Sequence, residues 1–443
     1  INGKDVSFSN GVTNLKANNV QDAIEEIYNK TIDNSSCKNV SAPKLGEGLV
    51  PVTIDGDGTV TYADTSKEWY NYCDKRWANA VILEDNASYK VGDTISESDI
   101  QSYFVWIPKY KYRLWNVDTP SEGVHEIDIL FDETDTTDVE GISCKTPMIS
   151  GESVNCNNGE YMTHPAFISM NTNGFWAGKF ETGYSGATSA TTAEVNVNDT
   201  SKVIVKPNVY SWRNITVYNA FLNSYNYQRN LDSHMMKNTE WGAIAYLSHS
   251  KYGINREINI NNNSSYKTGF SSLPSINQQT YPGTSGDGET YNSTYNTKIG
   301  YLASTTGNIT GVYDMSGNAH EYMASYITEK FSSSGFSTAT LSKYDNKYFD
   351  IYNTSSTYTS YQYRILGDAT GEIGPFKQYI DTDNQSRFHS NWYGIYSEFI
   401  ESSYPWFTRG GRYTYGNIAG IFCFSRYNGI NGFDTSFRIV LTP

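Results

Sequence analysis

The sequence predicts a protein of the α+β class in which strands outnumber helices. Three segments, 49–64, 103–115 and 174–184, alternate between apolar and polar residues, as strands with one buried face do. Two segments in the middle of the chain, 211–230 and 235–253, carry apolar residues at helical spacing instead. The two periodicities together indicate a mixed fold.

Residues 1–40 are expected to form a small strand–helix module that attaches the protein to a larger assembly. Asn19 can cap a helix within the segment 12–30. The apolar stripe of this helix would be Val20, Ala23, Ile24 and Ile27. The segment resembles a short unit found in phage tail and bacterial surface proteins. A helix that simply packs on the next domain is an equally good interpretation.

The next segment, 41–100, is expected to be a β-rich neck. Its clearest element is a hairpin at 49–64, where the turn reads Asp-Gly-Asp-Gly. A plain turn is favoured over a calcium loop, because no bidentate Glu follows at the required position. The main domain is then 101–443, with insertions near 254–300 and 327–400 that are rich in Asn, Ser, Tyr and Gly. Loops of this length commonly lie over a functional face.

Single residues refine these elements. Pro108 interrupts the strand 103–115, which predicts an edge or a strand start at that point. Thr239 stands where the N-cap of the second helix belongs. The acidic segment 117–139 is better explained as a solvated loop than as a cation site.

The composition favours an extracellular protein. The 37 Tyr outnumber the 19 Phe, and only 18% of residues are charged. Tyr combines an apolar ring with a polar tip, which suits half-exposed strands and binding surfaces. The net charge of −14 argues against binding nucleic acid, and no apolar run is long enough for a membrane span. Because residue 1 is Ile and no signal segment follows, we expect a processed or partial chain without its leader or anchor.

The five cysteines leave the redox state open. Cys144 and Cys156 could pair in an oxidising compartment, as could Cys37 and Cys73. Free thiols throughout are as good an interpretation, since an odd number leaves Cys423 or another residue unpaired. With no CxxC and few His, the sequence predicts no metal site.

A series of motifs in the main domain occurs in a distinctive order. In chain order they are FVWIP (104–108), NGFWAGKFETG (173–183), MKNTEWGAIAYL (236–247), GNITGVYDMSGNAHEYM (307–323), FTRGGRYTYG (407–416) and SFRIVL (436–441). This order resembles the formylglycine-generating-enzyme-like branch of the C-type lectin fold. The resemblance implies a C-type lectin-like domain with long insertions, preceded by the strand–helix module and the neck.

Structural roles are expected for the polar residues of these motifs, because Asp and Asn beside Gly317 can bond local backbone in a tight turn. We expect Glu321 and Arg409 to form a buried ion pair. The residues with an expected structural role are Asp314, Asn318, Glu321, Arg409, Gly410, Gly411 and Arg438.

An enzymatic function is not expected. The resemblance would place two copper-binding cysteines where Tyr415 and Gly420 stand, and Cys423 is alone in this segment. GxSxG, HExxH and P-loop motifs are missing as well. The lone His320 is best explained by packing. We therefore expect no catalytic residues, no metal and no cofactor.

The C-terminal segment 412–434 is the expected ligand-binding face. In the non-catalytic relatives of this fold, variable residues lie between an RGG strand and a closing SFR. Rigid aromatic and small polar residues are typical of such surfaces. The expected contact residues are Tyr413, Tyr415, Asn417, Ile418, Phe422, Phe424, Arg426, Tyr427, Asn428, Ile430, Phe433 and Asp434. Strand alternation predicts that one pair, Ile421 with Cys423 or Phe422 with Phe424, is exposed.

These observations predict a surface-displayed receptor-binding protein, an adhesin or a phage tail-like protein, located outside the cell or on a virion or tail surface. Its partner would be a host-cell or surface receptor, protein or glycan, and the N-terminal module could support a homo-oligomer. The alternative is a structural subunit of a filament, tail or capsid, and an enzyme on the same fold is the weakest hypothesis.

Overall fold

The structure is a computed structural model. It describes residues 6, 19–24, 26, 39–113, 126–132, 161–272, 293–353, 365–370, 376–380, 386–390 and 395–443. Most of the acidic segment 117–139 lies outside these residues, as do Ile27, Cys37, Cys144 and Cys156. Cys73 is disulfide-bonded, whereas Cys423 is a free, buried thiol. No helix among the described residues is long and apolar enough to cross a membrane.

The described residues form a mixed α+β structure dominated by sheets. The first strands are β1 (Leu49–Ile54), β2 (Val60–Tyr62), β3 (Asn79–Leu83), β4 (Thr94–Ile95), β5 (Ile100–Pro108), β6 (Tyr110–Arg113), β7 (Asp128–Phe131), β8 (Met162–Thr163), β9 (Gly174–Gly178), β10 (Gly183–Tyr184) and β11 (Val203–Ile204). They are followed by β12 (His234–Met235), β13 (Phe270–Ser271), β14 (Ser293–Thr294), β15 (His320–Ile327), β16 (Asp350–Tyr352), β17 (Phe376–Ile380), β18 (Ser386–Ser390), β19 (Trp406–Arg409), β20 (Phe424–Tyr427), β21 (Thr435–Phe437) and β22 (Ile439–Leu441). Besides the short N-terminal helix at 20–24, the α-helices are α1 (Pro165–Met170), α2 (Val217–Tyr227), α3 (Asn238–Ser248) and α4 (Thr338–Leu341).

The largest sheet has eight strands in the order β12-β22-β9-β5-β3-β1-β2-β4. Strand β5 lies inside it, which explains why Tyr103 to Pro108 are all buried. Its Trp106 is paired across the strands with Trp176 of β9, and their ring centroids are 5.3 Å apart. Residue 174, the first of β9, must be a glycine, because a Cβ there would lie 2.3 Å from the Trp106 ring.

The strands of the expected neck complete this sheet. Strand β3 pairs antiparallel with β5, so that Ala80 lies opposite Phe104, and β1 continues the sheet from β3. The predicted domain boundary between residues 100 and 101 therefore falls within strand β5 and its backbone pairing with β3. Pro108 is the last residue of this interior strand rather than an edge residue, a position where its missing N–H removes no ladder hydrogen bond.

The hairpin prediction for 49–64 is confirmed. Strands β1 and β2 are antiparallel, with Val52 opposite Tyr62. In the turn, the Asp57 carboxylate accepts the backbone N–H of Thr59 at 2.9 Å. Gly58 has a φ of 92°, which a glycine adopts without strain.

The N-terminal helix and its Asn19 cap are confirmed, but the predicted apolar stripe is not. The Asn19 side chain accepts the backbone N–H of Asp22 at 2.9 Å, and 20–24 are helical. Ala23 is buried, but Ile24 is 57% exposed. The predicted apolar stripe is therefore wrong at Ile24, because its side chain does not lie on the same side of the helix as Ala23.

The two central helices form where the spacing predicts them, with shorter bounds. Helix α2 is capped by Thr216, whose hydroxyl accepts the N–H of Asn219 at 3.3 Å. Helix α3 begins after Lys237, whose N–H donates to the Glu240 carboxylate at 2.8 Å. Thr239 is thus not the cap, and its N–H donates to Asp350 instead. Every residue of α3 is buried, which makes it a core helix rather than an amphipathic one.

A second sheet carries the C-terminal segment. Its order is β16-β15-β19-β20, and β21 pairs with β15. Strand β15 is buried along its whole length, and it pairs antiparallel with β19 and parallel with β21. The segment expected to bind a ligand therefore begins and ends on strands that share one buried neighbour.

Candidate ligand-binding face

Two glycines start the segment. Gly410 and Gly411 have φ values of 79° and 75°, and a Cβ on Gly411 would lie 3.0 Å from Ala419. The carbonyl of Gly410 accepts the N–H groups of Gly317 and Gly420. The Arg-Gly-Gly sequence thus lies where backbone segments approach each other closely. The left-handed conformation and the close approach both require glycine there.

The expected ion pair between Glu321 and Arg409 is wrong, although the two residues are opposite each other on β15 and β19. Glu321 accepts hydrogen bonds from two nitrogens of Arg438, with the Nε to Oε2 distance at 2.9 Å. Arg409 donates to the backbone carbonyls of Asp368 and Ala369. Directly paired residues on neighbouring strands share a face, yet long side chains choose partners by reach and by available acceptors.

The Glu321–Arg438 pair belongs to a buried polar network. Burial raises the pKa of Glu321 to about 7 despite the opposing effect of Arg438. Asn318 donates to Glu181 at 3.0 Å, and Asp314 accepts the N–H of Gly269 at 2.9 Å. Asn318 and Asp314 thus join the YDMSGN segment to two distant parts of the chain, and Glu321 joins β15 to a third.

Three partly exposed tyrosines lie along the segment, each resting on a ring from another element. Tyr413 contacts Tyr266 with ring centroids 4.9 Å apart. Tyr415 contacts His320 at the same distance. Tyr427 contacts Tyr322, a buried residue of β15, at 6.0 Å. We call Tyr413, Tyr415, Tyr427, Asn428, Ile430 and Phe433 the tyrosine face.

The loop that closes the face is held by its backbone. The N–H of Asn214 donates to Gly432, and that of Val217 donates to Gly429. The N–H of His320 donates to the carbonyl of Asp434 at 2.8 Å. Ile430 is 36% exposed and Phe433 is 58% exposed between these attachments. Apolar side chains are thus presented on fixed backbone.

The charged residues of the segment are paired within the protein. Arg412 contacts Asp434 at 2.5 Å. Arg426 contacts Glu398 at 2.6 Å and Glu401 at 2.5 Å. Asp434 is only 7% exposed, so the expectation that it contacts a ligand needs correction. Its carboxylate is directed to Arg412 instead.

Phe422 and Phe424 are also corrected, since they are 2% and 0% exposed. Ile421 and Cys423 are buried too, so the predicted alternation fails for both pairs. The segment is covered on both sides: Phe422 contacts His249, and the Ile421 carbonyl accepts the indole N–H of Trp241 at 2.7 Å. Because α3 and the sheet enclose residues 421–424, none of their side chains faces solvent.

The remaining expected contact residues lie at or near the surface. Ile418 and Asn428 are half-buried. Asn417 is part of a 3-10 turn at Tyr413–Ile418, and its side chain lies outside the described part of the structure. Arg426 is half-buried and stacks near the exposed Tyr404, 5.5 Å from its ring centroid.

Sequence reasoning missed three tyrosines beside or beneath this surface. Tyr266, from the insertion near 254–300, is buried beneath it, and its ring lies 3.8 Å from the guanidinium carbon of Arg213. Tyr396, from the insertion near 327–400, contacts Tyr415 at 5.7 Å, and the exposed Tyr404 follows that insertion. The Tyr content of the insertions was the available signal, but it could not indicate which of many tyrosines would reach the face.

The segment has no arrangement suited to metal or thiolate chemistry in the described part. No group of three or more His, Cys, Asp or Glu side chains there could hold a metal ion. Burial raises the pKa of the Cys423 thiol to about 12, so the thiolate form is disfavoured. Compared with known proteins, the sequence matches no protein-family model and no curated protein.

Proposed function

We propose that this chain is a surface-displayed protein that binds a receptor or ligand through the tyrosine face, presented by a C-type lectin-like domain. The protein would act outside the cell or on a virion or tail surface. Its face would work by contact rather than by catalysis. The partner would be a protein or a glycan on a host cell or another surface.

The observation that carries this proposal is the support beneath the three tyrosines. Each ring is fixed by a neighbour from another element. The hydroxyls of Tyr413, Tyr415 and Tyr427 have no hydrogen-bond partner among the described residues. Rigid aromatic side chains with available polar tips contribute contact area at little cost in conformational entropy.

The arrangement of strands supports the lectin-like assignment. The motif strands β15, β19 and β21 are neighbours, and the closing strand β22 returns to pair with β9 of the large sheet. The Glu321–Arg438 contact ties β15 to the residue just before that closing strand. The order of motifs and their spatial grouping therefore agree with each other.

The test is a protein and glycan array probed with the full chain. A triple variant, Tyr413→Ala with Tyr415→Ala and Tyr427→Ala, is expected to lose binding, because truncated aromatic anchors each commonly cost about 2 kcal/mol or more. The corresponding triple Phe variant keeps the rings and should retain most of the affinity. Tyr161→Ala, at an exposed tyrosine outside the face, is the control. Equal binding by wild type and the triple Ala variant would refute the proposal.

A structural subunit is the second candidate, because Ile430 and Phe433 expose apolar surface next to the tyrosines. In that case a second copy would cover them. Light scattering of the full chain tests this candidate: a concentration-dependent oligomer that Phe433→Ser disrupts supports assembly, and a monomer at all concentrations excludes contact through this residue.

A further inference from the structure

Two buried nitrogen atoms at the base of the tyrosine face have no hydrogen-bond partner among the described residues. They are Nδ1 of His320 and Nε of Arg412. His320 is only 6% exposed, and Arg412 is half-buried. Buried polar groups are nearly always paired, because an unpaired group loses the hydrogen bond that it made with water. Two such atoms beneath a binding face therefore indicate that a partner completes them.

The ring of Tyr415 packs against both residues. Its centroid lies 4.9 Å from that of the His320 ring, with the ring planes at 82°, and 5.4 Å from the guanidinium carbon of Arg412. Burial lowers the pKa of His320 to about 4, with Asp434 opposing this effect and Arg412 adding to it. The imidazole is therefore neutral at neutral pH, and the two unpartnered nitrogens belong to groups that flank one aromatic ring.

The Tyr415 ring has room to turn outward. The next residue, Gly416, has a φ of 54° and a ψ of −130°, a combination that residues with a Cβ avoid. Apart from its chain neighbours, no heavy atom of the described residues lies within 4 Å of the position that a Cβ on Gly416 would take. Rotation would cost the Tyr415 ring its contacts with His320 and with Tyr396, 5.7 Å away between centroids. It would open the way to the two buried nitrogens.

The charges around these nitrogens favour a neutral ligand. The positive charge of Arg412 is balanced by its ion pair with Asp434. An anion would be repelled by the Asp434 carboxylate, and a cation by the Arg412 guanidinium. Arg412 Nε can only donate a hydrogen bond, whereas His320 Nδ1 donates or accepts according to the tautomer. An amide suits either tautomer, since its carbonyl accepts and its N–H donates.

We infer that His320 Nδ1 and Arg412 Nε form a subsite for a peptide amide of the partner, with Tyr415 as its lid. The partner is then a polypeptide, because the exposed Ile430 and Phe433 offer apolar contacts to side chains on either side of such an amide. On binding, the Tyr415 ring turns outward and packs on the partner. The inference rests on the function proposed for the tyrosine face and names the chemistry of its partner.

The experiment follows the imidazole of His320 by NMR in the full chain with labelled histidine. His320→Phe identifies its signals among those of the six histidines. The probe is capped alanine, N-acetylalanine N-methylamide, and its addition should shift the His320 signals with a dissociation constant on the order of 10 mM. The comparison ligands are acetate as an anion, methylammonium as a cation and methyl N-acetylglucosaminide as an amide carried by a sugar.

Three variants test the subsite itself. Tyr415→Ala should tighten binding of capped alanine about two- to tenfold, because the lid no longer has to leave its aromatic contacts. Arg412→Lys keeps the charge beside Asp434 and removes Nε, so it should weaken binding about tenfold. His320→Phe keeps a ring and removes Nδ1. Followed through the signals of the probe, it should weaken binding about three- to tenfold.

Matched controls lie at the other end of the same segment. Tyr427 rests on Tyr322 rather than on His320, and Arg426 is paired with Glu398 and Glu401. Tyr427→Ala and Arg426→Lys should therefore leave the binding of capped alanine unchanged.

The subsite is refuted if capped alanine shifts the His320 signals in neither wild type nor Tyr415→Ala at up to about 100 mM. Binding that both Arg412→Lys and His320→Phe leave unchanged refutes it as well, as does a preference for acetate or methylammonium. Tighter binding of methyl N-acetylglucosaminide than of capped alanine would overturn the choice of a polypeptide.

Failure of the subsite can be told apart from failure of the proposed function. A protein partner found on the array whose affinity Arg412→Lys does not change would refute the subsite and leave the binding face in place. Binding of capped alanine without any partner on the array would support the subsite and refute the function proposed for the whole face.

Discussion

Glu257 provides the sharpest test of the core beneath the segment 412–434. It is 6% exposed, and neither carboxylate oxygen has a hydrogen-bond partner of good geometry among the described residues. Gly420 packs so closely that a Cβ there would lie 2.7 Å from Oε1. Burial raises the pKa of Glu257 well above its ordinary 4.5, with the Ile421 backbone lowering it only in part.

The sign of the pH dependence follows from proton binding. Between the unfolded and the folded pKa of Glu257, the folded protein retains a proton that the unfolded chain releases, so a rise in pH opposes folding. The contribution of Glu257 to stability is complete below pH 4.5 and is lost as pH rises toward the folded pKa. Within this range each pH unit lowers the free energy of unfolding by up to about 1.4 kcal/mol. Stability should therefore fall between pH 5 and pH 7, by at most about 3 kcal/mol.

Glu257→Gln removes this titration while keeping the shape of the side chain. Chemical denaturation of wild type and variant at pH 5 and pH 7 measures the free energy of unfolding. The variant should gain stability relative to wild type between the two pH values, by up to about 3 kcal/mol, whatever its packing cost. Glu47→Gln, at an exposed position, should show no such gain. A difference between wild type and Glu257→Gln that is the same at both pH values would refute a buried neutral carboxyl.

The remaining predictions concern the same region. Arg438→Met should lower the free energy of unfolding by about 3–5 kcal/mol, because Glu321 is left buried and unpaired. The double variant with Glu321→Met should recover much of this loss, and equal stability of the two variants would contradict the pairing. Phe424→Ala should cost about 3–5 kcal/mol by opening a core cavity. Phe433→Ala, at an exposed position, should change stability by about 0.5 kcal/mol or less. Similar losses at both positions would contradict the assignment of Phe424, but not Phe433, to the core. Gly411→Ala should cost about 1–3 kcal/mol in thermal or chemical unfolding, since its φ is 75°; an unchanged midpoint would contradict the strained position.

Elements with strong local signals could be predicted from the sequence. The hairpin at 49–64 forms because alternating residues flank a turn that glycine permits. The central helices form where the apolar spacing is 3.6, although their ends moved. The predicted cap of α3, Thr239, differs by two residues from the observed one, because the Thr239 N–H donates to Asp350, a residue 111 positions away. Long-range partners of this kind leave no local pattern.

The face was predicted in part. Tyr413, Tyr415 and Tyr427 lie partly exposed in turns and at a strand end, as the Gly-flanked pattern indicates. Phe422 lies in a turn before β20, which begins only at Phe424, so strand alternation does not apply to most of this stretch. The turn packs against α3, where the Ile421 carbonyl accepts the Trp241 indole N–H. Alternation predicts exposure only where a strand forms, and the sequence pattern could not indicate that the strand begins at Phe424.

By itself the sequence determined the kinds of elements, a structural role for Gly410 and Gly411 and the tyrosine-rich character of the segment 412–434, because these depend on residue type, backbone sterics and side-chain periodicity. Only the tertiary structure decided that Arg438 rather than Arg409 pairs with Glu321, and that 41–100 completes the large sheet. Those outcomes depend on which surfaces are brought together, and contacts between residues hundreds of positions apart are not encoded in any local pattern.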